Sequence, residues 1–302
     1  MSTVTATADN LVSSHDSARL RRSTKNRKRV RSLVFHLCSL ALVAVVLYPA
    51  VWMLMSSFKP SSEIVGNVSL IPTDATLANF QKAIEGIGGV SFWTFFTNSL
   101  ILAVGSVVGI TLSCSVSAYA FARIEFPGRN VFFALMIGTL LLPFHVVIIP
   151  QYIVFNRMGL VDTFVPLLIG KFLAAEAFFV FLMVQFMRNL PRELDEAARI
   201  DGAGHVRIFA QVMLPLSVPA LATTAIFTFI WTWNDFFHQL IFLTKPDMYT
   251  VPIALRSFID SSSESSWGPM FAMSIVSLIP LFLIFLLGQK YLVKGIATTG
   301  IK

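Results

Sequence analysis

The chain has 302 residues, 55% of them hydrophobic and only 13% charged, at a mean hydropathy of +0.74. Soluble domains carry about 25% charged residues, so an ordinary soluble domain is excluded; the 28 Phe exclude a disordered chain, and only two Cys exclude a disulfide scaffold. The net charge of +7 is local, because eight of the 23 Lys and Arg lie between Arg19 and Arg31 and the rest of the chain is nearly neutral.

Taken in chain order, residues 1–32 form a basic arm abutting an apolar stretch, which reads as a topology anchor on an anionic leaflet rather than a nucleic-acid-binding arm. A helix needs roughly 20 apolar residues to cross the hydrocarbon core, and six stretches qualify: Leu33 to Ser56, Asn98 to Ala122, Val131 to Phe155, Phe164 to Met187, Leu216 to Thr244 and Pro269 to Gly288. The first is longer than a signal-peptide core and lacks a small-x-small cleavage site, so it is expected to be retained. Strands of alternating polarity are missing, which points to an all-α polytopic membrane protein of six transmembrane helices. Cys38 and Cys114 fall inside these runs and read as small hydrophobes.

Six spans put both termini on one side. That side collects 17 Lys and Arg and the opposite side 5, so the termini are expected in the cytoplasm and a cysteine at Ser262 is expected to be labelled from outside. The outer segment from Phe58 to Thr97 holds Phe92-Trp93-Thr94-Phe95-Phe96, either an interfacial helix or an aromatic belt; the later run Ser261 to Ser266 reads as a solvated connector. The domain reading is an arm over 1–32, a six-span transmembrane domain over 33–292 with a loop at 189–215, and a tail over 293–302.

The chain has no phosphate-cradle, zinc-protease, nucleophile-elbow or C-x-x-C motif, and its five His show no ligand spacing. The expectation is a non-enzyme that binds no cofactor or metal. Transport is the favoured class. An ion-gradient-driven secondary transporter is the alternative, and its mark would be ionisable pairs in repeated halves, of which no clear repeat is seen.

The most unusual stretch runs from Asn189 to Gly204. Pro191 early in a helix is tolerated, Glu193, Asp195 and Glu196 complement a helix N-terminus, and Gly202 is a C-terminal stop, so a short bounded helix is predicted. A second piece over His205 to Met213 follows, and Leu214-Pro215 is expected to redirect the chain into span five. Ala197 and Ala198 leave a low-relief surface for a partner, although the residues alone fit a solvated connector equally well.

Glu196-Ala197-Ala198, three residues, Gly202, nine residues, then Val212-x-Leu214-Pro215 resembles the EAA loop of ATP-binding-cassette importer permeases, with Val212 in place of the usual Ile. The string from Glu193 to Ala203 is similar to the carbohydrate-uptake branch, as are Ala118 to Arg123 with Phe126-Pro127-Gly128-Arg129, the segment Pro143 to Tyr152, Trp233-Asn234-Asp235-Phe236 and the tail from Gly295. The resemblance implies a type I importer permease fold with a cytoplasmic coupling helix, in the cytoplasmic membrane of a bacterium or archaeon. It implies a homologous second permease, two ATPase subunits that hold ATP and Mg, an extracytoplasmic sugar-binding protein, and an oligosaccharide, a related polyol or a glycerol phosphodiester as cargo. Contact with the ATPase would fall to Glu196, Ala197, Ala198, Asp201, Gly202, Leu214 and Pro215.

Membrane lipid is the remaining partner, and no nucleic acid is expected. An ionisable or polar group at membrane depth is costly and should face the bundle or water. Gln151, Glu176, Asn234 and Asp235 are therefore the expected lining of the substrate path, with Tyr152 and Trp233 offering aromatic faces. The alternative is that Asn234 and Asp235 lock helices together, and that Lys171 and Glu176 pair with the other subunit.

Overall fold

The computed structural model describes residues 4–64, 66, 69–260 and 267–297. The connector at 261–266, with Ser262, and the tail residues 298–302 lie outside the described residues. Two compact units divide the chain at Met55. The first is essentially one long helix, α1 (Val4–Ser56), whose part Arg31–Ser56 is long and apolar enough to cross a membrane.

The second unit begins with two short helices, α2 (Ser61–Ile64) and α3 (Ala78–Glu85), and then the central α4 (Phe92–Arg123). Ser91 caps α4, its hydroxyl accepting from the Trp93 N–H at 3.4 Å. The aromatic stretch is thus the first turn of α4 rather than a separate interfacial helix, and α4 starts six residues before the predicted span.

The remaining helices are α5 (Arg129–Thr139), α6 (Phe144–Arg157), α7 (Val165–Phe172), α8 (Ala177–Arg188), α9 (Glu193–Ile200), α10 (His205–Ile208), α11 (Leu214–Leu216), α12 (Val218–Asn234), α13 (Phe237–Phe242), α14 (Val251–Asp260) and α15 (Trp267–Ala297). A π turn, Phe209–Met213, joins α10 to α11. No strand occurs among the described residues. Among the described residues four helical stretches are long and apolar enough to cross a membrane, or five if the bent pair around Ser217 is one span. The predicted third span is what falls short. It divides into α5 and α6 at Leu140 to Pro143, because Pro143 lacks an N–H and disfavours helix at the residue before it.

The predicted fourth and fifth spans are also interrupted. α7 gives way to α8 across Leu173 to Glu176, where Ala174 takes φ +55°, and α12 gives way to α13 at Asp235. The turn into span five lies two residues beyond the predicted Leu214-Pro215: the axis bends by 74° at Ser217, and Pro215 is carried inside the short α11.

α4 is the axle of this unit and packs against α12, α8 and α7, while α15 closes on α12 and α3. Its apolar contacts form two main cores. One, toward the Arg123 end, joins Cys114, Ala118 and Tyr119 to Met183, Met187, Ile208 and Met213. The other, toward the Phe92 end, joins Phe92, Phe95 and Ala103 to Phe229, Trp233 and Met273. Gly109 lets α7 lie close against α4, since a Cβ there would meet the Phe172 ring at 2.9 Å.

Candidate functional site

The two helix breaks in the middle of the bundle open onto one cavity of about 610 Å³, walled by α4, α6, α7, the break between α7 and α8, α12 and α13. Backbone that leaves the helix at membrane depth loses its internal hydrogen bonds, so it is tolerated where protein or a water-filled cavity supplies replacements. Here side chains do so. The buried Gln239 donates to the Thr232 carbonyl at 2.8 Å and accepts from the Thr250 hydroxyl, and Asp235 accepts from the His238 N–H at 3.2 Å to start α13.

Gln151, Glu176, Asn234 and Asp235, the four polar residues expected in the path, all line this cavity. Lys171 donates to the Glu176 carboxylate across the first break, and the His238 ring Nδ1 lies 2.9 Å from Asp235 beside the second. Lys171 and Glu176 thus pair with each other within this chain. Asn234 donates to the Ile230 carbonyl of its own helix at 2.8 Å, so it does not lock α12 to a neighbour through that bond.

The two aromatic expectations need correction. Trp233 is only 2% exposed and is absent from the cavity wall; it stacks on Phe229 at 5.7 Å and meets Phe96 edge-on at 5.4 Å. Tyr152 packs its ring 6.0 Å from Phe242 and likewise is not among the lining residues. The indole that does face the cavity is Trp231, 48% exposed. Helix geometry gives the reason: residues three and four apart share a face, so Trp231, Asn234 and Asp235 align, whereas Trp233 is turned by about 100° from its neighbour Asn234. That spacing was present in the sequence.

At the Arg123 end, α9 lies as predicted between Pro191 and Gly202, with Glu193, Asp195 and Glu196 in its first turn and Gly202 at φ +79°. Asp195 is buried and forms an ion pair with Arg123 at 3.3 Å, while the other Arg123 nitrogen donates to the Met187 and Leu190 carbonyls at 2.7 Å each. This anchor was missed in the sequence, where Asp195 looked like one of three first-turn acids. The Tyr119 hydroxyl is 3.4 Å from His205 and its ring packs on Phe209, which fixes the following segment.

Glu196, Ala197, Asp201, Gly202 and Pro215 are exposed, and Leu214 is half-buried. Ala198 is different: it packs inward against the core at this end, so its small size serves the seat of α9 on the bundle and not an outward surface. Two apolar side chains not foreseen, Ile200 at 87% and Val206 at 82% exposure, stand on either side of the Gly202 turn.

The sequence profile of the binding-protein-dependent transport system inner membrane component family matches residues 105–298, which takes in both the cavity and the α9 loop. The chain is 34% identical to the arabinooligosaccharides transport system permease protein AraQ of Halalkalibacterium halodurans, over 85% of this chain and 92% of that one. It is 33% identical to the sn-glycerol-3-phosphate transport system permease protein UgpE of Brucella abortus, over 90% and 98%. In fold it is similar to a chain of a crystallised bacterial ABC transporter involved in the import of alginate, with a TM-score of 0.77 and 24% identity over 87% of this chain and 97% of that one. The chain belongs to the family of binding-protein-dependent transport system inner membrane components, the non-catalytic permease subunits of ABC importers.

Proposed function

We infer that this chain forms half of the translocation path of an ATP-driven importer of sugars, an oligosaccharide or a related polyol. The observation that carries the cargo reading is the cavity, in which amide, carboxylate and imidazole groups converge beside the Trp231 indole. Few, well-placed polar groups against an aromatic wall suit a polyhydroxyl ligand. Lys171, the lysine of the cavity wall, is already paired with Glu176, which favours a neutral cargo over the glycerol phosphate of the Brucella relative's name.

On this reading a homologous second permease completes the path, a binding protein delivers the sugar from outside the cell, and two partner ATPase subunits hold ATP and Mg. Glu196, Ala197, Asp201, Gly202 and Pro215 meet the ATPase, joined by Ile200 and Val206, with Ala198 and Leu214 seating the loop. Closure of the ATPase pair moves α9 as a rigid lever and switches the permeases between inward and outward access. Residues 1–32 form a cytoplasmic arm, 33–292 the permease domain with its coupling loop at 189–215, and 293–302 a cytoplasmic tail. The bias of 17 basic residues against 5 supports that orientation.

Uptake of a panel of labelled sugars and of glycerol phosphate, in a deletion strain carrying the gene on a plasmid, tests the cargo. Neutral oligosaccharide uptake that requires ATP is expected; uptake of glycerol phosphate alone, or transport driven by an ion gradient in ATP-free vesicles, overturns the reading. For orientation, a cysteine at the exposed Asp247 should be labelled in intact cells and one at Asp201 only after permeabilisation. The reverse pattern inverts the topology.

A further inference from the structure

A second hollow, of about 360 Å³, lies where α4, α5 and α8 end together, and its lining is Ala122, Arg123, Arg129, Asn130, Arg188 and Arg192. Arg123 is spent on Asp195. The other three are not paired: among the described residues no carboxylate lies within ion-pair distance of Arg129, Arg188 or Arg192. Their bonds are to neutral oxygens at the long limit, Arg129 to the Ile124 carbonyl and Arg188 to the Phe121 carbonyl, each at 3.4 Å, and Arg188 also lies over the Phe133 ring at 4.9 Å. Arg192 also borders an adjoining hollow with Glu125, Asp195 and Glu196, and Arg129 borders another with Glu125, but none of these acids lines the hollow that the three arginines share.

The backbone adds to the same field. Gly128 at the head of α5 has no side chain to cap it, and the N–H groups of Asn130 and Val131 make no hydrogen bond within the described residues. Three guanidinium groups, which stay charged at any physiological pH, therefore face an uncapped positive helix end. An anion with several oxygens would satisfy both.

The surroundings decide which anion. α5 leaves the hollow at Arg129 and presents Val131, Phe132 and Leu135 outward, 63%, 56% and 63% exposed, along an apolar face. Phosphate at the end of a span with a hydrocarbon-facing flank beginning one turn later is the geometry of a membrane lipid. We propose that Arg129, Arg188, Arg192 and the head of α5 bind the headgroup of an anionic glycerophospholipid, whose acyl chains lie along α5. The proposal does not depend on which sugar is carried.

Native mass spectrometry of the assembled transporter, titrated with phosphatidylglycerol, phosphatidylcholine or inorganic phosphate, tests it. Selective retention of phosphatidylglycerol is expected, weakened about tenfold or more in the Arg129→Gln/Arg192→Gln variant. Arg192→Gln alone, at an exposed position, guards against misfolding and should weaken retention by a smaller factor. Equal retention of the two lipids, unchanged phosphatidylglycerol retention in the double variant, or inorganic phosphate binding as tightly as the lipid would each overturn the assignment. So would loss of the ATPase subunits from the variant with lipid retention unchanged, which would give these arginines to that interface.

Discussion

Arg123 and Asp195 meet at 3.3 Å with side chains only 3% and 10% exposed, and the same guanidinium holds the last carbonyls of α8. One cation thus ties the end of the central helix, the end of α8 and the start of α9 into a single joint. Through it the seat of α9 is fixed directly on α4, the helix whose Leu102 also lines the cavity.

Removing one partner of such a pair leaves a buried charge uncompensated, at a cost of about 3–5 kcal/mol. Asp195→Ala should lower the thermal midpoint of the purified complex markedly, and Asp195→Asn should do so less because it keeps an acceptor. The exposed neighbour Glu196→Ala should leave the midpoint unchanged. Equal midpoints for Asp195→Ala and Glu196→Ala would show that the pair contributes nothing.

Gly202 separates two effects that a sequence cannot. Its φ of +79° penalises any residue with a Cβ by about 1 kcal/mol or more, yet nothing lies within 4 Å of where that Cβ would stand. Gly202→Asn, which tolerates this conformation, should transport nearly as well as the native chain. Gly202→Asp should reach the membrane in normal amount while uptake collapses and ATP hydrolysis no longer responds to the loaded binding protein. Normal stimulated hydrolysis in that variant would remove this turn from the ATPase contact.

Much of this arrangement was legible because it rests on strong local signals. Hydropathy located the apolar stretches, and Pro191 and Gly202 bounded α9 on both sides. Three of the stretches nevertheless break, at Leu140 to Pro143, Leu173 to Glu176 and Asp235. The first break has a proline to announce it. The second depends on Ala174 at positive φ, held by the Lys171 and Glu176 pair and by the Ser113 hydroxyl on the Lys171 carbonyl at 2.7 Å, and no local residue pattern encodes that. Asp195 was hidden for the same reason, since its partner is 72 residues earlier in the chain. Trp231 is legible: its spacing to Asn234 and Asp235 places it on their face of the helix, whereas the adjacent Trp233 belongs to the core face.

The two tryptophans make a sharp comparison. Trp233→Ala empties a site between Phe96 and Phe229 and should cost about 3–5 kcal/mol, seen as loss of the assembled complex or a much lower thermal midpoint. Trp231→Ala removes a cavity wall and should leave assembly intact while raising the half-saturating sugar concentration; Asn234→Ala and Glu176→Gln should act in the same sense. A Trp231→Ala transporter with unchanged uptake kinetics would argue that the cargo passes elsewhere.

The last prediction concerns the end of the bundle away from α9, where Asp162 closes a clasp between the loop before α7 and the loop after α13. Its own N–H donates to the Phe242 carbonyl at 2.9 Å, and its carboxylate accepts from the Thr244 N–H at 2.6 Å, the Thr244 hydroxyl at 2.9 Å and the Lys245 N–H at 3.1 Å. Partial burial pushes this carboxyl upward, but the bonds from Thr244 and Lys245 and the Lys245 charge outweigh it, so its pKa lies below the usual carboxylate range. A depressed folded-state pKa means that the clasp contributes fully above about pH 3.9 and is lost as pH falls through the lower folded value. At neutral pH, Asp162→Asn, which tolerates the φ of +61° but lacks the charge, should speed hydrogen exchange at the Thr244 and Lys245 amides, and Asp162→Ala should speed it further. In the native chain the same two amides should keep their protection from neutral pH down to about 4, after allowance for the intrinsic pH dependence of exchange. Protection that fails well above pH 4, or that survives in Asp162→Ala, would show that something other than this carboxylate holds the two loops together.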